Sequence, residues 1–243
     1  MNVFSLKDKN ILITGASSGI GAAAAKKCAA LGGTVFLNAR NQARGQEVLD
    51  SLTGSGHQLI TGDLTSEEER NALVDKLPAL HGVVHSAGVT AHMPVKFIRQ
   101  KNVAQLFEVN YEAAVYLTAR ILKKKKIKNG GAFVFLSSIA TKYPYFGGAL
   151  YSGSKAAIEA YSKTLALELA PKKIRSNCLK PSFVKGPMVE GAGKTISEEV
   201  LQNFEKIMPL GFGEPEDVAN AIAFFLSDGA RWITGTELIM GGG

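Results

Sequence analysis

Tyr151 and Lys155 stand four residues apart in Tyr151-Ser152-Gly153-Ser154-Lys155. On a helix, that spacing puts both side chains on one face. A free tyrosine has a pKa near ~10, too high for easy proton exchange at neutral pH. A nearby ammonium stabilises the phenolate and lowers that value. Tyr151 can then give a proton to the oxygen of a carbonyl under reduction, and take one back in the reverse direction. Ser138, thirteen residues before the tyrosine, carries a hydroxyl of the kind that can donate a hydrogen bond to an oxygen and favour a developing alkoxide. A tyrosine and lysine at this spacing also form an ordinary surface pair. The chemistry therefore depends on other residues falling into register with them.

The first such group is the run Thr14-Gly15-Ala16-Ser17-Ser18-Gly19-Ile20-Gly21. It separates an expected strand, Asn10 to Thr14, from an Ala-rich helix, Ile20 to Leu31. Glycines in such a turn let the backbone approach a pyrophosphate, which the helix N-terminus then stabilises. The spacing is Gly-x3-Gly-x-Gly, different from the G-x-G-x-x-G of longer dehydrogenases. A second group closes the next strand, Phe36-Leu37-Asn38-Ala39-Arg40. Where NAD enzymes of this general fold place an acidic residue for the ribose 2′-hydroxyl, this chain has Ala39, with no carboxylate nearby. Arg40 follows, and its planar fork suits a 2′-phosphate. The expected cofactor is NADP(H) rather than NAD(H). Arg40 as a solvated charge at a strand end is the other reading.

Strands and helices alternate around these groups. Further strands are expected at Thr34 to Ala39, His57 to Thr61, Gly82 to His85, Ala132 to Leu136, Ile174 to Leu179 and Glu237 to Met240. Helices are expected at Gln42 to Leu52, after the capping box opened by Ser66, at Lys101 to Lys126, Ala149 to Ala170 and Pro215 to Ser227. Strict alternation implies an α/β fold: one doubly wound parallel sheet of Rossmann type, with helices on both faces. Residues 1–243 read as a single dinucleotide-binding and catalytic domain. Ligands in such sheets bind at the carboxyl ends of the strands, where the strand order reverses.

The 243 residues, 46% hydrophobic and 20% charged, have an ordinary globular balance. Cys28 and Cys178 are the only cysteines and read as packed, reduced thiols. No signal peptide or membrane span is legible, so a cytoplasmic protein is expected. The net charge is +7. Much of it lies in Lys123, Lys124, Lys125, Lys126 and Lys128, a run that suits either a solvated helix end or an acidic partner. Gly130-Gly131 reads as the stop signal of that helix.

Taken together, these motifs resemble the short-chain dehydrogenase/reductase family over essentially the whole chain. The resemblance is carried by Thr14-Gly15-x3-Gly19-Ile20-Gly21, Asp63, Ala87-Gly88, Asn110, Ser138, Tyr151-x3-Lys155, Ile174-Arg175-Ser176-Asn177 and Ile233-Thr234-Gly235-Thr236-Glu237. Within the family it is nearest the 3-oxoacyl-carrier-protein reductase type and related carbonyl reductases. It implies a catalytic set of Asn110, Ser138, Tyr151 and Lys155. Lys155 would also bind the nicotinamide ribose, and Asn110 would hold a water linking Lys155 to solvent. Implied cofactor contacts are Gly15, Ser17, Ser18, Gly19, Ile20, Gly21, Arg40, Asp63, Ala87, Gly88, Tyr151, Lys155, Pro181 and Val184. A homotetramer is implied as well. Three departures stand out: Ser86 in place of Asn, Ser182 in place of Gly after Pro181, and Gly186 where a Thr often anchors the nicotinamide carboxamide. Ser18 also occupies a position where NADPH-preferring relatives often carry a second basic residue, which leaves Arg40 to act alone.

Other features weigh less. His81, His85 and His92 do not align as metal ligands across an expected strand, so no metal is expected. Tyr143, Pro144, Tyr145 and Phe146 suit a substrate-pocket wall, ordinary packing or a subunit contact. Residues 182–206 are Gly-rich and are expected to form a substrate lid. The expected activity is hydride transfer between NADP(H) and a carbonyl or alcohol, with free or carrier-bound 3-oxoacyl thioesters among the candidate substrates. No nucleic-acid or membrane partner is expected. Two other readings stay open: an NAD-dependent alcohol, sugar or steroid dehydrogenase, and a non-catalytic nucleotide-binding regulator on the same fold.

Overall fold

Among the described residues, runs of apolar and β-branched residues form seven strands: β1 (Asn10–Ile13), β2 (Thr34–Ala39), β3 (Gln58–Thr61), β4 (Leu80–His85), β5 (Ile127–Leu136), β6 (Arg175–Pro181) and β7 (Glu237–Met240). Between them lie α1 (Gly19–Ala30), α2 (Gln42–Asp50), α3 (Glu67–Lys76), α4 (Gln100–Phe107), α5 (Ala113–Lys123), α6 (Ala149–Leu169) and α7 (Pro215–Leu226). The computed structural model describes residues 2–187, 208 and 210–241. The strands pair in parallel in the order β3-β2-β1-β4-β5-β6-β7. Chain direction across the sheet reverses between β1 and β4, which opens a crevice at their carboxyl ends.

Successive strand side chains point to opposite faces, and both faces are covered. Ile11 and Ile13 pack with Cys28 of α1, Val48 of α2 and Ile222 of α7. Leu12 packs on the other side with Leu73 of α3, Leu117 of α5 and Ile158 of α6. This two-sided burial explains why the strands read as continuous apolar runs. Cys28 and Cys178 are buried and unpaired. No helix among the described residues is long and apolar enough to cross a membrane.

Three sequence expectations are corrected. The single helix over Lys101 to Lys126 is two helices, α4 and α5, joined by a π-helical turn at Glu108–Glu112. The apolar periodicity runs on through that turn, so the extra residue leaves no signal in the sequence. The lysine-rich helix stops at Lys123, with Lys125 in the left-handed region at φ 53°. Gly130 and Gly131 lie inside β5, which begins at Ile127. Two of the five lysines are anchored: Lys124 pairs with Asp75 at 3.3 Å, and Lys126 donates to the Leu77 carbonyl at the end of α3. At the start of α3, Ser66 accepts from the Glu69 amide at 3.3 Å, but the Glu69 carboxylate accepts from the Asp63 amide at 2.8 Å, so the expected box closes on a different residue.

The histidines are dispersed. His81 accepts from the Asn10 amide at the amino end of β1. His85 is buried, bonds Thr118 at 2.9 Å and stacks on Phe135; burial pushes its pKa down to about 3. Among the described residues, no group of potential metal ligands comes together.

Candidate active site

A cleft of about 700 Å³ opens at the carboxyl ends of the strands. Of the catalytic and cofactor-contact residues expected from the sequence, all except Asn110 line it. The loop after β1 is held tightly. Thr14 Oγ1 accepts from the amides of Ser86 and Ala87 at 3.1 and 3.2 Å, tying this loop to the end of β4. A Cβ on Gly15 would lie 2.8 Å from the Ala87 backbone, and its φ of 64° suits glycine alone. Ser18 caps α1 by position without a side-chain cap bond, which leaves first-turn amides facing the cleft. The Ser86 departure leaves this junction intact, because the Ser86 amide makes the contact.

At one end the cleft is basic. Arg40 lines it as expected, and so does Arg44, which the sequence analysis missed. Asn41 starts α2 by accepting from the Arg44 amide at 3.0 Å, placing Arg44 in the first turn beside the cleft. The two arginines are four apart, but a strand end and a helix cap lie between them, which hid the pairing. The expectation that no carboxylate lies nearby is corrected. Asp63 shares this wall and is held by the Thr65 amide and hydroxyl, each at 2.9 Å. Those bonds, with a contribution from the Arg40 charge, keep its pKa below the usual carboxylate value.

At the other end the cleft meets Ser138, Tyr151 and Lys155. Ser138 follows β5, whereas Tyr151 and Lys155 lie on the first two turns of α6. Lys155 Nζ donates to the Leu136 carbonyl at 2.8 Å and lies 5.8 Å from the centre of the Tyr151 ring. Burial pushes Lys155 down to about 8 and Tyr151 up to about 12, with the Ser138 side chain pulling Tyr151 the other way. The expectation that the ammonium lowers the tyrosine is therefore corrected for the protein by itself. Desolvation dominates, and the ammonium is directed at a backbone carbonyl.

Asn110 sits in the π-helical turn, behind Gly88. Its Oδ1 accepts from the Val89 amide at 2.8 Å, and its Nδ2 donates to the Val89 carbonyl and Ser154 Oγ at 2.9 and 3.1 Å. The side chain expected to hold a water is engaged in fixing the loop after β4 to α6. A Cβ on Gly88 would come within 3.3 Å of both Asn110 Oδ1 and Lys155 Nζ, so the two groups face one spot.

A buried ionic network underlies this end. Glu159, one turn beyond Lys155, accepts from Ser137 Oγ and from Thr141 Oγ1, the latter at 2.9 Å. Lys180 Nζ reaches Glu159 at 3.1 Å and Glu237 at 2.9 Å. None of Ser137, Glu159 and Lys180 was singled out in the sequence. The signal for Glu159 was present, since Tyr151, Lys155 and Glu159 form one stripe at four-residue intervals.

Pro181, Ser182, Val184 and Gly186 line the cleft mouth. Gly186 has φ 134°, a conformation in which threonine is strained. Most of the expected lid, residues 188–206, lies outside the described residues. A second cavity of about 570 Å³, lined by Val95, Tyr145, Phe146 and Ser152, opens nearby. Pro144, Tyr145 and Phe146 all line this cavity, which favours the pocket-wall reading of the Tyr143 to Phe146 segment.

Known proteins resemble this chain in sequence and in fold. A family model described as enoyl-(acyl carrier protein) reductase matches residues 15–243. The chain is 32% identical to a 3-oxoacyl-[acyl-carrier-protein] reductase of Rickettsia felis, over 99% of this chain and 98% of that protein. It is also 32% identical to human dehydrogenase/reductase SDR family member 4, over 98% of this chain and 88% of that protein. A solved short-chain dehydrogenase/reductase from Brucella melitensis, named a glucose/ribitol dehydrogenase, superposes with a TM-score of 0.89 at 26% identity, covering 99% of this chain and 98% of that one. By these matches, the fold and the sequence motifs together, the chain belongs to the short-chain dehydrogenase/reductase family of oxidoreductases.

Proposed function

We propose that the protein is an NADP(H)-dependent carbonyl reductase working in the cytoplasm, with 3-oxoacyl thioesters among its candidate substrates. One observation carries the reading: a single cleft runs from the Arg40–Arg44 pair, past the Gly15 loop, to Ser138, Tyr151 and Lys155. Its residues fit a dinucleotide. The close approach of Gly15 to Ala87 makes a cradle that a Cβ would fill, the α1 N-terminus suits the pyrophosphate, and the arginines suit a 2′-phosphate. Gly88, Pro181 and Val184 border the nicotinamide end, where Lys155 would hold the ribose. A reduced nicotinamide bound there supplies the hydride.

The chain's own residues do the rest. Ser138 donates a hydrogen bond to the substrate oxygen and stabilises charge developing on it. Tyr151 delivers the proton to that oxygen; its neutral form, favoured by burial, is the one a general acid needs. Lys155 would donate to the ribose and, as an ammonium, stabilises the phenolate left on Tyr151 until a proton from solvent restores the phenol. Asn110 positions the loop after β4 and α6 around them.

The assembly is a homo-oligomer, on the family's pattern a tetramer. Among the described residues β7 is the last strand at its sheet edge, and Leu238 and Ile239 on it are exposed, as are Leu167 and Trp232. An uncovered apolar edge strand is an association surface. The nearness of Asp63 to Arg40 favours one second reading, an NAD-dependent dehydrogenase. Loss of NADPH absorbance with a panel of ketones and acyl thioesters, in wild type and Tyr151→Phe, tests the proposal. Turnover by wild type and a drop of at least ~10²-fold in the variant are expected. Undiminished turnover in Tyr151→Phe excludes the assigned role.

A further inference from the structure

We infer that Glu159 and Lys180 form a buried positioning pair that holds Ser138 in register with Tyr151 and Lys155. The inference rests on the carbonyl-reductase reading of the site and concerns how its parts are aligned. Ser138 lies on a short segment between β5 and α6, one residue past the last sheet bond, Ser137 amide to Leu179 carbonyl, and at the head of a single 3₁₀ turn over Ile139–Thr141. Its neighbours on both sides are tied to one carboxylate. Ser137 Oγ and Thr141 Oγ1 both donate to Glu159 Oε1. Ser137 Oγ also lies 3.3 Å from the Lys155 carbonyl. Glu159 shares its helix with the other two groups, one turn beyond Lys155 and two beyond Tyr151. The carboxylate thus clamps the segment carrying the hydrogen-bond donor onto the helix carrying the proton donor.

A carboxylate buried to 9% exposure needs a counter-charge. Lys180, itself 5% exposed, supplies it from β6, one residue before Pro181 at the cleft wall. Its Nζ lies 3.1 Å from Glu159. On its other side Lys180 meets Glu237 at 2.9 Å, and Glu237 also pairs with Lys163 at the surface. Removing Lys180 therefore leaves Glu237 a partner but strands Glu159. Such burial of charge seldom adds stability over an apolar pair of similar size, so alignment of the segment is the better reason for it. A misplacement of about 1 Å at a reacting centre can lower turnover on the order of 10²-fold.

The test compares two double variants, so that no lone charge is left inside. Glu159→Leu/Lys180→Met removes both the charges and the acceptor. Glu159→Gln/Lys180→Met removes the charges but keeps an amide oxygen for Ser137 and Thr141. The first should lose roughly ten- to a hundredfold in kcat, with KM and the NADPH Kd near wild type. Its amides over residues 137–142 should exchange with deuterated water faster than in wild type. The second should stay near wild type in both readouts. Wild-type kcat and exchange in Glu159→Leu/Lys180→Met would overturn the inference. So would equal losses in both variants that follow their melting temperatures, because those mark a general structural role. If the wild-type protein reduces no carbonyl in the panel, the functional reading fails separately. The exchange comparison then decides the clamp alone.

Discussion

Replacing Arg40 and Arg44 with alanine, singly and together, isolates the part of cofactor binding that reads a 2′-phosphate. Both side chains are exposed on the cleft wall, so the lower end of the charge-assisted range applies, about 1.5 kcal/mol each. At about 1.4 kcal/mol per tenfold, each single variant should bind NADPH roughly tenfold more weakly. The double variant should lose on the order of a hundredfold if the two contacts add. NADH lacks the phosphate, so its Kd should barely move. The Asp63 carboxylate on the same wall subtracts from the wild-type preference, and Asp63→Asn should widen the gap between the cofactors. Fluorescence titration with NADPH and NADH gives both constants without a known carbonyl substrate. The arginine terms should shrink as salt rises, because exposed charges are screened. A wild type that binds NADH as tightly as NADPH, or a ratio unchanged in the double variant, refutes the reasoning.

Other outcomes follow from the same geometry. Lys155 has its pKa pushed down to about 8 by burial, so below that value the fold holds a poorly solvated ammonium. Wild-type stability from this group should rise between about pH 8 and its unfolded value near ~10.4, where the unfolded chain still binds the proton and the fold does not. Lys155→Met should therefore melt higher than wild type at pH 7, with a gain that narrows toward pH 10; a gain independent of pH contradicts the burial argument. Gly186→Thr, which places the residue common in relatives at φ 134°, should cost about 1–3 kcal/mol of stability and leave NADPH binding no tighter, as thermal melts and titration would report. Cys28 and Cys178, both buried with pKa values pushed up to about 12, should resist a thiol reagent in the native state and react fully after unfolding. Trp232→Glu, at a side chain 95% exposed, should lower the mass measured by light scattering if that face joins copies of the chain; an unchanged oligomer removes it from the interface.

How far the sequence could be read depends on the range of each signal. The parallel sheet was legible because its central strands, β1, β2, β4 and β6, are buried on both faces, which leaves runs of apolar residues bounded by turns. The Gly15 loop and the Tyr151–Lys155 pair were legible because each is contiguous and set by helix or turn geometry. Arg44 was not, because its approach to Arg40 depends on where β2 ends and Asn41 starts α2. The π-helical turn at Asn110 was hidden by a periodicity that never breaks, and β5 was shortened because two glycines look like a helix stop. Glu159 and Lys180 are 21 residues apart and meet only when α6 packs on β6; no local pattern announces a pair of that kind. The rise of Tyr151 and the fall of Lys155 also come from burial, which only the assembled fold sets.

The most direct test of the central claim follows the hydride itself. NADPH deuterated at the transferable position of the nicotinamide is incubated with the protein and a carbonyl substrate from the panel, and the alcohol is analysed by mass spectrometry and NMR. The account predicts one deuterium on the carbinol carbon of the product, formed by wild type and almost absent with Tyr151→Phe at saturating cofactor. A protein that binds NADPH tightly yet forms no labelled alcohol from any ketone or 3-oxoacyl thioester would contradict it.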